Sequence, residues 1–117
     1  MGADFAYIGT PFIAAAEANA SEDYKQMVLD SVGADIIYTD LFSGILGNYL
    51  AGSIARAGYD PQNLPPRVGG VDVDSGVKAW RDIWAAGQGV GGVNAVEPVA
   101  DMIARWTREY ELARRQI

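Results

Sequence analysis

Asp4-Phe5-Ala6-Tyr7-Ile8-Gly9-Thr10-Pro11 is the stretch on which the fold turns. The aromatic and branched residues from Phe5 to Ile8 predict a short β-strand, and Gly9-Thr10-Pro11 predicts that it stops against a helix. Thr10 can cap that helix. Pro11 suits its first turn, where its missing N–H would have had no partner anyway. Phe12 to Ala18 then reads as a short Ala-rich helix. A helix start offers unpaired N–H groups and a partial positive charge, and Gly9 lets an anion approach the backbone closely. The segment therefore reads either as a phosphate seat or as an ordinary turn with a cap.

Beyond it, Asn19-Ala20-Ser21-Glu22 has the spacing of a capping box, and Tyr24, Met27 and Val28 form an apolar stripe, which predicts a second helix to about Asp30. Ile36-Ile37-Tyr38-Thr39 is strand-like. Leu41 to Gly47 is turn-prone and leads into a predicted helix over Asn48 to Ala57, which Gly47 and Gly52 each weaken by about 1 kcal/mol relative to Ala. Gly58 is a C-cap candidate, and residues 59–73, with three prolines and paired glycines, read as an irregular loop. Asp74 or Ser75 can start a helix carrying Trp80, Ile83 and Trp84 on one face. Asn94 to Glu97 offers another capping box before a stripe of Val99, Met102, Ile103, Trp106 and Tyr110, with Arg114 and Arg115 suited to the negative end of that helix.

Composition removes several classes of function. The 117 residues contain neither Cys nor His, so disulfides, thiolate zinc sites and His-based acid–base chemistry are excluded from this chain. Nine basic residues are scattered among fifteen acidic ones for a net charge of −6, which disfavours nucleic acid and anionic membranes as partners. No leader pattern or membrane-length apolar run occurs, and the default expectation is a cytoplasmic protein.

Two glycine- or acid-rich motifs need weighing. Gly87-Gln88-Gly89-Val90-Gly91-Gly92 satisfies G-x-G-x-x-G, but a dinucleotide fingerprint requires a buried strand just before it, and the preceding Trp80, Ile83 and Trp84 have helical spacing. The run is a helix terminator or a backbone lining for a flat ligand. Asp72-Val73-Asp74-Ser75-Gly76 starts like a calcium loop, yet Ile83 stands where the bidentate Glu belongs, so these acids read as turn and cap residues.

Taken in order, Gly2 to Ala14, Tyr24-Lys25-Gln26-Met27, Tyr38-Thr39-Asp40-Leu41-Phe42, Gly47-Asn48-Tyr49-Leu50 and Asp82-Ile83-Trp84-Ala85-Ala86-Gly87-Gln88-Gly89 resemble the C-terminal third of the nitronate monooxygenases, also called 2-nitropropane dioxygenases. The resemblance implies an α/β fold, as the C-terminal fragment of an FMN-binding TIM (β/α)8 barrel. It implies that Ile8, Gly9 and Thr10 border the FMN phosphate in the turn after the last strand, where such barrels commonly hold phosphate. Gly87, Gln88 and Gly89 match a loop near the flavin or the substrate. The implied reaction is oxidation of an alkyl nitronate by O2 through FMN, the cofactor carrying the redox chemistry. Many relatives carry Arg where this chain has Pro11, which bears on the strength of the phosphate site rather than its position. The family's catalytic His lies in the part of the barrel outside this sequence, so no catalytic residue is assigned here. Related flavin barrels reduce enoyl substrates, and the quoted segments are compatible with such chemistry.

A TIM barrel needs eight strands and about 250 residues. This chain offers one convincing strand, so the expectation is a single partial domain over residues 1–117, mostly helical with one or two short strands. Its expected partners are FMN and a small nitronate in the full-length context, and either the missing N-terminal barrel segment or a second copy of itself. The alternative to an enzyme segment is a non-catalytic helical interaction module.

Overall fold

Two short strands and the residues that follow a tryptophan organise the chain. In a computed structural model, residues 2–67 and 79–117 are described, with only the backbone for Ala79 and Trp80. The helices are α1 (Thr10–Ile13), α2 (Glu22–Asp30), α3 (Ala51–Arg56), α4 (Ala79–Asp82) and α5 (Val99–Gln116), and the strands are β1 (Ile36–Thr39) and β2 (Gly47–Leu50). Two 3-10 turns cover Gly33–Asp35 and Gln88–Gly92. The chain is thus mixed helix and strand, compatible with the expected α/β class.

The strands pair antiparallel with Ile36 opposite Leu50 and Thr39 opposite Gly47. Asn48 to Leu50 were expected to open a helix; with Gly47 they form β2 instead. Gly47 and Asn48 are poor helix formers, and the extended form gains ladder bonds on both sides. On its second edge β2 meets the segment after α4, where Leu50 N–H donates to the Trp84 carbonyl at 2.8 Å and Ala86 N–H to the Asn48 carbonyl at 3.3 Å. This overturns the helix expected to carry Ile83 and Trp84: α4 ends at Asp82, and Ala85 forms an antiparallel bridge with Tyr49. Buried Ser53 locks the junction, its Oγ donating to the Leu50 carbonyl (2.8 Å) and accepting from Trp84 N–H (2.9 Å).

Helix α2 begins at Glu22 with Ser21 as its cap, taking the Tyr24 N–H at 3.2 Å, rather than with Asn19. Its C-terminal limit at Asp30 is as expected. Helix α3 stops at Gly58, whose φ of +93° favours glycine. There Tyr59 N–H reaches the Ile54 carbonyl and Gly58 N–H the Ala55 carbonyl, the crossed pair of bonds typical of a glycine-terminated helix. Of the loop expected over residues 59–73, residues 59–67 contain no helix or strand, and residues 68–73 lie outside the described residues, as do Asp74, Ser75 and the side chain of Trp80.

Three further expectations give way in the fold. Phe5–Ile8 forms no strand and pairs with none among the described residues, and Phe5 and Tyr7 are 94% and 103% exposed. The helix after Pro11 lasts four residues instead of reaching Ala18, because the chain turns away to pair Ala15 with Glu97, Ala16 N–H donating to the Glu97 carbonyl at 2.9 Å. Helix α5 takes Pro98 as its N-cap instead of Asn94, and the Glu17 carboxylate supplies the missing cap by accepting Val99 N–H at 3.1–3.2 Å. An anion there also opposes the positive end of the helix.

The main core joins Ala14, Val28, Ile36, Leu50, Ala86, Val90 and Val93, with Tyr24 and Trp84 against it. The two rings stack with centroids 4.7 Å apart, and Arg56 covers the Trp84 face at 3.8 Å. Helix α5 is covered only over its first turns: Met102 is buried and Trp106 meets Phe12 edge-on, but Ile103 and Tyr110 of the same stripe are exposed. The radius of gyration, 16.6 Å, exceeds the roughly 13 Å of a compact domain this long.

Candidate functional site

The two glycine-bearing segments singled out in the sequence lie side by side. Gly87 N–H donates to the Thr10 hydroxyl oxygen at 2.8 Å, joining residues far apart in the chain. Thr10 is in the first turn of α1, where Gly9 holds the cap position without a side-chain bond. The Thr10 side chain is therefore free to reach across rather than to cap its own helix. Gly87 is delivered by the pairing of residues 84–86 with β2, so sheet and short helix converge at this hydrogen bond. A Cβ on Gly87 would sit 3.2 Å from Thr10 Oγ1, closer than most real contacts. Glycine keeps the approach tight.

Beside this junction lies a cavity of about 210 Å³. Ile8 and Pro11 form one wall, Gly89, Gly92 and Val93 another, and Met102, Arg105 and Trp106 of α5 a third. Among the described residues, and chain neighbours aside, a Cβ added to Gly89 or Gly92 would meet no atom within 4 Å, so packing does not demand glycine at either position. Both leave backbone bare toward space that a ligand can use. Nor does any described residue accept the N–H of Gly9 or Thr10.

Of the residues expected at the site, Ile8 and Gly89 line the cavity, and Gly9 lies in the chain between Ile8 and Pro11. Thr10 and Gly87, joined by their hydrogen bond, are next to lining residues in the chain rather than among them. Gln88 does not join it: its carbonyl and side-chain oxygens lie 3.4 and 3.6 Å from where a Cβ of Gly33 would be, against the 3-10 turn. Sequence reasoning missed Arg105 and Glu97. Among the described lining residues they are the only cation and the only anion, and they pair with each other at 2.5 Å. This hydrogen bond to Glu97 holds the Arg105 guanidinium above its usual, already high, pKa. Arg105 had looked like one more scattered surface base, and its position on a cavity wall comes from tertiary packing of α5 against α1.

A second depression, about 450 Å³, lies between α2 and α3 near Asp23, Asp30, Asp35 and Arg56. It is broad, open and dominated by carboxylates, which disfavours an anionic ligand. Among the described residues no group of His, Cys, Asp or Glu is arranged to hold a metal ion. No described helix is long and apolar enough to cross a membrane. Away from the cavity, Tyr24 has its hydroxyl pKa raised by burial and donates to the Ala85 carbonyl within the stack on Trp84.

No family model and no solved structure matches the chain. The chain is similar to the nitronate monooxygenase of Paraburkholderia phytofirmans, with 26% identity over 126 aligned positions. The alignment takes in all of this chain and 34% of that protein, so the chain spans about a third of the length of the curated relative it matches. The similarity runs along the whole of this chain and supports, at the coarse level, a relation to an oxidoreductase-like family.

Proposed function

We propose that this chain forms the FMN-phosphate corner of a nitronate monooxygenase-like TIM barrel, corresponding to the C-terminal part of such an enzyme. The observation that carries the reading is the junction of Ile8-Gly9-Thr10 with Gly87-Gln88-Gly89 through the Thr10–Gly87 bond, beside a cavity walled by bare glycine backbone. Two segments nominated separately as cofactor-binding meet in space. The cavity also has the right scale for one end of a cofactor: complete small-molecule pockets run to about 300–1,000 Å³, and 210 Å³ holds only part of such a ligand.

The residues present fit a phosphate there. The N–H groups of Gly9 and Thr10 have no acceptor among the described residues, and Thr10 Oγ1, although it accepts from Gly87, still has its own proton to donate. Pro11 fixes the turn, and its lack of both N–H and charge leaves the donors to its neighbours. Bound FMN would supply the redox chemistry by which an alkyl nitronate is oxidised with O2. This chain's own part is to seat and orient the phosphate end and to wall that end from water. With neither His nor Cys it offers no general base of those types, and the proposal places the catalytic base on the remaining barrel strands.

Exposure of Phe5 and Tyr7 supports the same reading, since an aromatic segment of strand-like composition is left bare when the strands that would cover it are absent. The test is complementation. The segment of the Paraburkholderia relative that lies outside the alignment is co-expressed with this chain, and bound FMN and nitronate-dependent O2 uptake are measured. Recovery of both is expected; a stable complex without flavin contradicts the proposal.

A second reading, a non-catalytic module that associates through α5, draws on the exposure of Ile103, Tyr110 and Leu112. It predicts concentration-dependent oligomers in sedimentation, and a monodisperse monomer at high concentration rules it out.

A further inference from the structure

We infer that Arg105 is the cationic contact of this corner, exchanging Glu97 for a phosphate group that enters the cavity. The inference rests on the reading of the cavity as a phosphate site and adds the residue that supplies its charge. A phosphate approaching a chain of net charge −6 meets an unfavourable overall field, so a local cation is needed. Among the described residues that line the cavity only Arg105 is one. Pro11, on the opposite wall, contributes neither charge nor N–H.

Arg105 is held in place without being saturated. Its Nη2 donates to Glu97 and its Nη1 to Glu109 at 3.4 Å, while no described acceptor takes its Nε–H. A guanidinium presents five N–H groups in a rigid planar fork, so donors remain for an incoming oxyanion. The Arg105 and Glu97 side chains are 38% and 25% exposed, which makes the pair one of partial solvent access and small net worth. Glu97 can give way because its backbone is anchored independently, its carbonyl accepting Ala16 N–H. A phosphate carries more charge than the carboxylate and can accept two parallel N–H bonds from the fork. Glu97 thus serves as a placeholder that keeps the guanidinium on the cavity wall until a better anion arrives.

The experiment is a titration of the full chain with inorganic phosphate, followed by NMR at the Arg105 Nε–H and at the Gly89 and Gly92 amides. All three signals are expected to move with one affinity. Arg105→Ala should weaken phosphate binding at least about tenfold, and Arg105→Lys should restore part of it. Glu97→Gln is the deciding variant: freeing the guanidinium should tighten phosphate binding about threefold or more, whereas a purely structural ion pair predicts weaker binding when the pair is lost. Binding by Arg105→Ala within twofold of the parent, or weakening by Glu97→Gln, overturns the inference. So does the absence of any response to phosphate. If Arg105→Ala fails to fold, Glu97→Gln still decides. Parallel titrations with FMN and riboflavin separate this inference from the flavin reading, because a phosphate response through Arg105 without preference for FMN supports the cation assignment and refutes the flavin.

Discussion

Replacing Thr10 by Val removes one hydroxyl while keeping the shape and the branched Cβ, so the helical preference of α1 is nearly unchanged. The only described interaction lost is the 2.8 Å bond from Gly87 N–H. That N–H belongs to a half-buried residue and would be left without an acceptor in a space where Val adds methyl groups. A bond of this kind contributes about 1 kcal/mol net, and stranding the donor raises the cost to roughly 1–2 kcal/mol, below the full penalty because Gly87 keeps some access to water. For a domain of this size that corresponds to a fall in Tm of roughly 3–8 °C. Thr10→Ser keeps the oxygen and should stay close to the parent. Thermal unfolding by circular dichroism measures the global effect, and hydrogen exchange at the Gly87 amide measures the local one, with faster exchange expected in the Val variant alone. If Thr10→Val unfolds at the parent temperature and its Gly87 amide exchanges as slowly as before, the two segments are not held together by this bond and the organisation of the site proposed above is wrong.

Ser53→Ala should destabilise by about 2 kcal/mol, since it removes a buried hydroxyl that serves both Leu50 and Trp84 and strands the Trp84 N–H; urea unfolding at constant m value checks it. Gly58→Ala places a Cβ at a φ of +93° and should cost about 1 kcal/mol, read from the same urea curves, with Gly58→Asn milder. Because burial raises the Tyr24 pKa above its ordinary 10.0, the folded state favours the protonated phenol. Its contribution to stability is complete below pH 10 and is lost as pH rises through the raised value, when the donor to Ala85 disappears as well. Parent minus Tyr24→Phe stability should therefore decline above pH 10; a difference that stays flat through that range removes Tyr24 as the cause.

What could be read from the residues follows the range of the forces involved. Helix α2, strand β1 and the Gly58 stop depend on neighbours within a few positions, and all three were legible. The failures share a cause. Asn48 to Leu50 were read as the start of a helix because nothing local reveals that Ile36–Thr39 and residues 84–86 flank them as pairing partners. Phe5–Ile8 has strand composition but finds no partner among the described residues, and composition cannot supply one. The caps at Ser21 and Pro98 moved from Asn19 and Asn94 because the second is replaced by a carboxylate from Glu17, which sequence spacing cannot anticipate. At the site, Gly9-Thr10-Pro11 and Gly87-Gln88-Gly89 were legible as glycine turns before helices or loops. Their junction, the departure of Gln88 toward Gly33, and the arrival of Arg105 on the cavity wall come from packing between opposite ends of the chain.

The central claim is that the Thr10–Gly87 junction and its adjoining cavity seat the phosphate of FMN. Amide-resolved NMR titrations of the chain with FMN and with riboflavin, which differ only in the phosphate, test it most directly. Weak, saturable shifts are expected at Gly9, Thr10, Gly87 and Gly89 with FMN and none at these positions with riboflavin, because the proposed function leaves most of the flavin pocket to residues outside this chain. Equal responses to both ligands, or FMN shifts confined to other residues, would contradict it.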